Sequence, residues 1–412
     1  MHATFPTRTP SARLLLTGLL LASQSATATN DALQGLFFAA CNNPTGALAE
    51  RCAQTTDGLG NLSGDSETSL NPSQVLSGHQ QGTRELLSRN QQGPSEEHNE
   101  EAPATTIEIG DWALGVSAGR SWESFDREQD VDNERSYDAD GSWAALTLDY
   151  SFSADTQMGF MLSAERDDLT YGGNNVGRNF TPPNSAGRVE SDAIGGGLFL
   201  TSWLTDHVYV DAKVGMSQGD RKYRRNSVFQ ESNRVVAQTN SVTEGETDIE
   251  STWASIAVGA DWQRGAWTLG ASAELSYVST EIDAFDEKDL SNTGLAMHFD
   301  AAKQSSDELR INLSAQRAIS TDFGVVVPFA RVGFIGGFNG DEVKISSRYL
   351  LDGSNNELEV VTDEADESYY VGNLGVTLVM PNGWMGFIEG EYWGGYEDLH
   401  RGSISIGIRA EL

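Results

Sequence analysis

The stretch GSISIGIRAEL, Gly402 to Leu412, alternates apolar and polar side chains. Its apolar phase holds Ile404, Ile406, Ile408, Ala410 and Leu412. Serine, glycine, arginine and glutamate take the positions between them. Because successive side chains of a β-strand point to opposite faces, a period of two predicts a strand with one apolar face and one polar face.

The same alternation recurs from about Gly110 onward, for example in HVYVDAKVGMS, His207–Ser217, and WTLGASAELSYV, Trp267–Val278. About twelve such runs are joined alternately by tight turns and long polar connections. The turns are Ser153–Thr156, Leu204–His207, Gln263–Ala266, Ser320–Asp322 and Pro381–Gly383. The long connections cover residues 126–136, 172–188, 230–243, 284–305 and 351–367, with a shorter one at 397–402. This connectivity predicts an antiparallel up-and-down β-barrel.

Large aromatic residues collect at the tight-turn end of these runs. They are Trp112, Tyr150, Phe152, Trp203, Tyr209, Trp262, Trp267, Phe323 and Trp384. Aromatic residues at one level are typical of a membrane interface. A soluble β-sandwich would pack its apolar face against a second sheet instead of placing tryptophan beside turns. The sequence therefore predicts an all-β transmembrane fold, an outer-membrane barrel of about twelve strands with a short, partly helical N-terminal segment.

The apolar phase is expected to face lipid and the polar phase a watery lumen. An open strand edge in hydrocarbon leaves each backbone group without a hydrogen bond, which costs several kcal/mol per group. The wall must therefore close, with the final strand pairing with the first, near Gly110–Ser124. An even strand number places both ends of the wall on the short-turn, periplasmic side.

Composition agrees with a thin wall around a wet interior. Apolar residues make up only 38% of the 412 residues, which is little for a large soluble core. The net charge of −33 argues against a nucleic-acid partner, because phosphates would be repelled. The acidic stretches Asp126–Glu134 and Asp363–Ser368 are expected to be solvated loops, with a divalent-cation role as the weaker alternative.

The N-terminal residues divide into an export signal and a leader. Arg8 and Arg13 precede a short apolar run, and Ala26-Thr27-Ala28 offers a cleavage site, so residues 1–28 read as a signal peptide. Residues 29–109 form a leader in which two short helical pieces flank an Asn-Pro turn. Cys41 and Cys52 are expected to form a disulfide in an oxidising compartment. A polar helix over residues 71–90 would suit a wet cavity.

Two stretches carry a resemblance to a known family. VVVPFARVGFIGGFNGDE, Val325–Glu342, resembles its Pro-aromatic-x-Arg strand, and Gly383–Leu412 is similar to its closing hairpin. On these motifs, residues 110–412 resemble the β-barrel translocator domain of autotransporters (type V secretion). LFFAACNNPTGALAERC, Leu36–Cys52, resembles a leader of passenger-poor members. Leu412 and Ala410 depart from the aromatic residues usual at these places in the family.

The resemblance implies a function and partners. The barrel is expected to translocate or anchor its own N-terminal segment at the surface of a Gram-negative cell. Outer-membrane lipid, lipopolysaccharide and, through the C-terminal strand, the barrel-assembly machinery are the expected partners of a monomer. The alternatives are a structural or adhesive barrel acting through its acidic outer loops and, with less support, a hydrolase at the outer rim.

Charged residues on the predicted inward phase are the candidate site. They are Asp211, Lys213, Glu274, Arg331, Glu389, Glu391, Arg409 and Glu411. They line the lumen, and the resemblance implies contact with a helix threaded through it. The plainer alternative is that they hydrate the lumen and pair with one another.

No cofactor, metal site or catalytic residue is predicted, so the chain is not expected to be an enzyme. His207, His298 and His400 are the histidines of the barrel region, and the sequence has no G-x-S-x-G motif. The Asn42-Asn43 and Asn174-Asn175 pairs lie in predicted turns or loops instead of a helix before the barrel, so self-cleavage is not expected.

Overall fold

The computed structural model describes residues 29–55, 61–63, 111–126, 136–153, 155–172, 185–230, 238–338, 344–361, 368–381, 383–396 and 398–412. The predicted signal peptide, the predicted helix at 71–90 and the Asn174-Asn175 pair lie outside these residues. Nearly all of the two acidic stretches, residues 127–134 and 363–367, also lies outside the described residues.

The described elements are numbered here in chain order. The leader holds α1 (Thr29–Ala40), α2 (Gly46–Ala53) and β1 (Asn61–Ser63). Then come β2 (Trp112–Phe125), β3 (Tyr137–Ser153), β4 (Thr156–Gly172), β5 (Ser185–Trp203), β6 (Val208–Gln230), β7 (Thr239–Arg264) and β8 (Trp267–Ile282). Three short strands follow, β9 (Phe285–Asp286), β10 (Lys288–Asp289) and β11 (Met297–Phe299). The last are β12 (Ala302–Arg317), β13 (Ile319–Thr321), β14 (Gly324–Gly337), β15 (Lys344–Tyr349), β16 (Leu358–Val361), β17 (Ser368–Val379), β18 (Trp384–Gly394) and β19 (Leu399–Glu411).

Twelve long strands form a closed antiparallel wall. They are β2 to β8, β12, β14 and β17 to β19, and each pairs with the wall strand before and after it. The ring closes where β19 pairs with β2, from Leu399 opposite Phe125 to Glu411 opposite Ala113. This confirms the predicted barrel fold. Among the described residues, no helix is long and apolar enough to cross a membrane.

The alternation of the final strand has the predicted orientation. Ile404, Ile406 and Ile408 are 50–57% exposed, whereas Ser403 and Ser405 are 2% exposed. The isoleucines therefore point outward and the serines inward. Val116 of β2, opposite Ile408, is exposed in the same way. The outward band of apolar side chains is what a lipid-facing barrel wall requires.

The predicted aromatic girdle is right in part. Trp112, Phe152, Trp262, Trp267, Phe323 and Trp384 are exposed on the outside of the wall at the tight-turn end. Trp203 and Tyr209 are not part of it, because they lie opposite each other on the inward phase, with ring centroids 5.1 Å apart. A shift of one residue along a strand moves a side chain to the other face, so proximity to a turn did not suffice to assign these two.

The inward face of the wall carries more apolar side chains than the sequence predicts. Trp143, Met161, Phe199 and Trp253 form a buried cluster inside the wall with Ala145 and Val278. Glycines on neighbouring strands make room for these rings. A Cβ added at Gly119 would lie 2.5 Å from Trp143 Cε2, so glycine on the inward phase permits tryptophan to lie flat on the wall. The expectation of a uniformly polar lumen is wrong at this level of the barrel.

Candidate functional site at the mouth of the barrel

The long-loop end of the barrel is covered by a small sheet. Strands β9, β11, β15 and β16 pair in the order β16-β15-β11-β9, and we call these four strands the cap sheet. They lie in the β8–β12 and β14–β17 connections. Their inward side chains, Phe285, Met297, Phe299, Ile345 and Tyr349, are buried. Burial raises the pKa of the Tyr349 phenol, which therefore stays neutral at physiological pH.

The strand ends below the cap sheet complete an apolar cluster that fills the mouth. Its wall members are Phe125, Tyr137, Leu169, Tyr171, Ala186, Val189, Tyr223, Phe229, Ile249, Ile282, Ile335, Tyr369, Val371, Trp393 and Leu399. All of them lie toward the long-loop ends of their strands. Strands β6 and β7 have 23 and 26 residues. A membrane crossing needs only about 10, so these strands continue beyond the bilayer and form the side of the mouth.

The leader packs into this cluster. Helix α1 buries Leu33, Leu36, Phe37 and Ala40, which share one helical face, and α2 buries Leu48. Phe37 is 0% exposed, with ring centroids 5.6 Å from Phe229 and 6.3 Å from Tyr349. Each large apolar side chain buried in this way contributes about 1.5–3 kcal/mol.

The two helices are held together by the Cys41–Cys52 disulfide, whose Cα atoms are 5.4 Å apart. The order of helix, turn and helix is the one that the sequence predicts for this segment. Both cysteines pack against the apolar cluster at the mouth. The disulfide thus closes the loop that contains the Asn-Pro turn and lies within the docked region.

The turn between the helices is bound by the β15–β16 connection. The Thr45 amide donates to the Leu351 carbonyl at 2.9 Å, and the Gly353 amide donates to the Asn43 carbonyl at 2.9 Å. The Asn356 side chain donates to the Ala39 carbonyl at 3.2 Å. A Cβ on Gly353 would lie 2.7 Å from the Asn43 side chain, so glycine is required for this approach.

The β8–β12 connection is anchored by a buried ion pair. Arg225 of β6 donates to Glu287 through two nitrogens, one of them Nε at 2.9 Å, and both side chains are 1% exposed. Glu287 also accepts from Thr243 Oγ1 and from the Met297 amide, each at 2.9 Å. Further along, Gly294 has a φ of +82° and lies against the backbone of Leu48. The ion pair therefore positions the loop on which α2 rests.

The strand edges at the mouth are paired as well. β1 of the leader pairs with the end of β6, with Leu62 opposite Phe229. β10 pairs with β7 beyond the end of β8, with Asp289 opposite Thr243. Exposed edges invite pairing with foreign chains, so these short strands protect the projecting ends of β6 and β7.

The eight charged residues predicted to line the lumen lie on the inward phase of their strands, spread around the wall. Arg409 contacts Asp149 at 2.7 Å and Glu411 at 3.4 Å. Asn373 donates to Glu389 at 2.9 Å and to Glu391 at 2.8 Å.

The other four of the eight have different neighbours. Arg331 lies opposite Asn373 in the register of β14 and β17. Asp211 accepts a hydrogen bond from Thr201 and is 1% exposed, and Lys213 is buried. Glu274 faces Arg310 in the register of β8 and β12. The structure thus gathers the predicted residues into separate local groups, not into one site.

Sequence reasoning missed several inward polar residues. Asp149 and Asn373 lie in the groups just described. Arg401 forms an ion pair of 3.1 Å with Glu123, directly opposite it across the β19–β2 seam, and lies over the Trp393 ring at 4.8 Å. All of these residues share the inward phase of their strands. The alternation alone would have identified them.

The histidines occupy three different settings. His298 of β11 has Nδ1 2.6 Å from Asp286 and Nε2 3.0 Å from Asp300, so both ring nitrogens are engaged. His400 is exposed and His207 lies exposed in a tight turn. Within the described part of the chain, no group of three or more His, Cys, Asp or Glu residues could hold a metal ion.

The chain resembles known proteins in sequence and in fold. A family model described as "Autotransporter beta-domain" matches residues 110–391. The translocator domain of the autotransporter NalP from Neisseria meningitidis is 15% identical, with a TM-score of 0.57, covering 82% of this chain and 98% of that one. The β-domain of the Bordetella autotransporter BrkA is 16% identical, with a TM-score of 0.48, covering 74% and 100%. No curated protein matches the chain.

Proposed function

The chain belongs to the autotransporter beta-domain family, and on this premise we propose that it carries its own short N-terminal segment to the cell surface and folds it there as a cap on the barrel. The barrel is an outer-membrane barrel of a Gram-negative cell. Export across the inner membrane with removal of residues 1–28 is part of the proposal. We define the cap as the cap sheet together with leader residues 29–55 and 61–63.

The observation that carries the proposal is the position of the leader relative to the wall. Strand β2 begins at Trp112 beside the tight turns, where the Leu412 amide donates to the Trp112 carbonyl at 2.8 Å. The leader, in contrast, packs at the long-loop end, where Leu62 of β1 lies opposite Phe229. The N-terminal segment and the start of the wall are therefore at opposite ends of the barrel. A route through the lumen connects these ends without exposing polar backbone to lipid.

The packing of the leader argues for a cap instead of a freely displayed peptide. A displayed peptide would keep its apolar side chains few and exposed, whereas Leu33, Phe37 and Leu48 are almost fully buried in the mouth. Among the described residues, five buried apolar residues, five hydrogen bonds outside the strand ladders and a paired strand hold the segment in place. In this proposal the cap sheet anchors the leader, and the two together close the outer opening of the barrel.

We also propose that the rim is not a hydrolase. A catalytic histidine must keep one ring nitrogen for the nucleophile, but both nitrogens of His298 face carboxylates. His400 lies on the outward phase with Ile404 and Ile406, exposed to the surroundings of the wall. Replacing either histidine with alanine should leave any hydrolysis by the purified protein at the background rate. A loss of hydrolysis in either variant would refute this part of the proposal.

An epitope tag tests the position of the leader. One variant carries the tag immediately before Asp31, and a matched variant carries it in the tight turn at Gly265, whose φ is +61°. Antibody applied to intact cells should bind the first variant, and should bind the second only after the outer membrane is permeabilised. Binding to the Asp31 tag only after permeabilisation would place the leader on the periplasmic side and overturn the proposal.

Deleting residues 29–63 distinguishes the cap from a barrel that acts through its loops. In the proposal, the deletion opens the mouth and exposes its apolar lining, so a hydrophobic dye should bind the folded barrel. An adhesive barrel would keep its surface binding without the leader. Unchanged dye binding, with a barrel that still resists unfolding in detergent, would contradict the cap.

A further inference from the structure

The cap sheet has two chemically different faces. The inward face is apolar, as described above. The outward face carries Asp286, His298, Asp300, Lys344, Arg348 and Glu359. His298 lies directly opposite Asp286 on β9 and directly opposite Arg348 on β15. A titratable side chain therefore occupies an inner strand of the sheet that holds the leader.

The ring of His298 lies between two carboxylates. Nδ1 lies 2.6 Å from Asp286 Oδ1 and Nε2 lies 3.0 Å from Asp300 Oδ1. An ionised carboxylate only accepts hydrogen bonds, so both ring nitrogens must donate. A neutral imidazole carries one N–H and a protonated imidazole carries two. Both contacts can therefore be hydrogen bonds only when the ring is protonated.

We propose that His298 is a pH-sensitive latch of the cap, closed when the ring is protonated and loosened when it loses a proton. The proposal rests on the cap of the proposed function and adds a control to it. Histidine is the side chain that changes charge between about pH 5 and 8. A neutral ring would leave one bare nitrogen facing a carboxylate oxygen, two acceptors in contact.

The charged groups around His298 carry its effect across the sheet. Asp300 also contacts Arg348 at 3.5 Å, so this carboxylate joins the β8–β12 connection to β15. The other pair on this face is Lys344 with Glu359, at 2.9 Å, between β15 and β16. Loss of the proton from His298 removes the positive charge between Asp286 and Asp300, so Asp300 keeps Arg348 as its cation whereas Asp286 loses the charge of the ring.

Contacts of β15 connect the change at His298 to the leader. Tyr349 is the last residue of β15 and packs on Phe37. Shortly after it in the chain, Leu351 and Gly353 form the backbone hydrogen bonds to the leader turn. The Leu350 amide bonds to the Ala296 carbonyl beside β11. Weaker pairing of β11 with β15 therefore also weakens the hydrogen bonds of Leu351 and Gly353 to the leader turn.

Amide hydrogen exchange of the full chain in lipid nanodiscs tests the latch. The reporters are the amides of Thr45 and Gly353, which donate across the interface between leader and cap sheet. After correction for the intrinsic pH dependence of exchange, protection should fall about tenfold between about pH 5.5 and pH 8, because a charge-assisted hydrogen bond is lost. Equal protection at the two pH values would overturn the latch.

Variants test whether the pH dependence of protection arises from the His298 ring. His298→Gln, a neutral residue of similar length, should abolish the pH dependence, and Asp286→Asn should reduce it while leaving the ring in place. His400→Gln, exposed on the wall, should behave as the wild type. A tenfold response that persists in His298→Gln would refute the proposal. A surface-exposed tag at Asp31 with a flat pH response would reject the latch alone, whereas a hidden tag would reject the cap itself.

Discussion

Removal of the Phe37 ring is the sharpest test of how the leader is held. The side chain is fully buried between Phe229 and Tyr349, with Phe38 edge-on at 5.7 Å. Truncation of a buried phenylalanine to alanine costs about 3–5 kcal/mol, since both transfer energy and a cavity are involved. Because about 1.4 kcal/mol is a factor of ten, Phe37→Ala should raise the open fraction of the cap at least about a hundredfold.

Hydrogen exchange at Gly353 measures this opening, because its amide is protected by the Asn43 carbonyl of the leader. The matched control is Phe38→Ala, the same truncation at the neighbouring, half-buried position of α1. It should accelerate exchange much less. The barrel itself should remain folded in both variants, judged by its compact migration in unheated detergent gels. Equal exchange rates in the two variants would show that Phe37 does not anchor the leader.

Glu287→Gln leaves the buried Arg225 charge without its partner, so the β8–β12 connection should lose about 3–5 kcal/mol of local stability. The loss should appear as faster hydrogen exchange of the Met297 amide, and an unchanged rate would contradict the anchoring role of the ion pair. Replacing Cys41 and Cys52 with serine should cost the cap about 3 kcal/mol, the loop-closure value for so short a loop, and the open fraction of the cap should rise accordingly. Ile406→Arg places a charge on the lipid face and should destabilise the barrel by about 2–4 kcal/mol in urea unfolding from liposomes, and a change within error would mean that this face does not meet lipid.

The wall could be predicted from sequence because each of its strands carries its own evidence. Ile404, Ile406 and Ile408 alternate with serine and glycine whatever their neighbours are, and hydrocarbon forbids an open edge, so closure follows from local pattern plus a single solvent constraint. The errors in the predicted wall concern single side chains. Trp203 and Tyr209 sit next to a turn as the girdle residues do, and only the register of β5 and β6 shows that they point inward.

The cap could not be predicted in the same way. Its strands have two to six residues, too few for a period of two to stand out in long polar connections. The signal that did exist is the helical stripe of Leu33, Leu36, Phe37 and Ala40, which requires an apolar partner. Its partners lie some two hundred to three hundred residues away, at Phe229 and Tyr349, so only the tertiary fold identifies them.

The lumen shows why the candidate charges did not form a site. Alternation places side chains on the inward face but says nothing about their height or their position around the ring. Asp211 and Arg409 share a face, yet they lie on strands far apart in the wall order and make contacts with different neighbours. The same limit explains why the inward cluster around Trp143 and Trp253 was not predicted, since its six members are spread over five strands.

Photo-crosslinking in intact cells tests the central claim, that the leader is docked in the outer mouth. A photoreactive benzoylphenylalanine at position 37 keeps an aromatic ring in the pocket. On illumination it should crosslink within the same chain, to peptides that contain Phe229 or Tyr349. Crosslinks to residues at the tight-turn end, or to other proteins of the periplasm, would show that the leader is not at the mouth and would contradict the account.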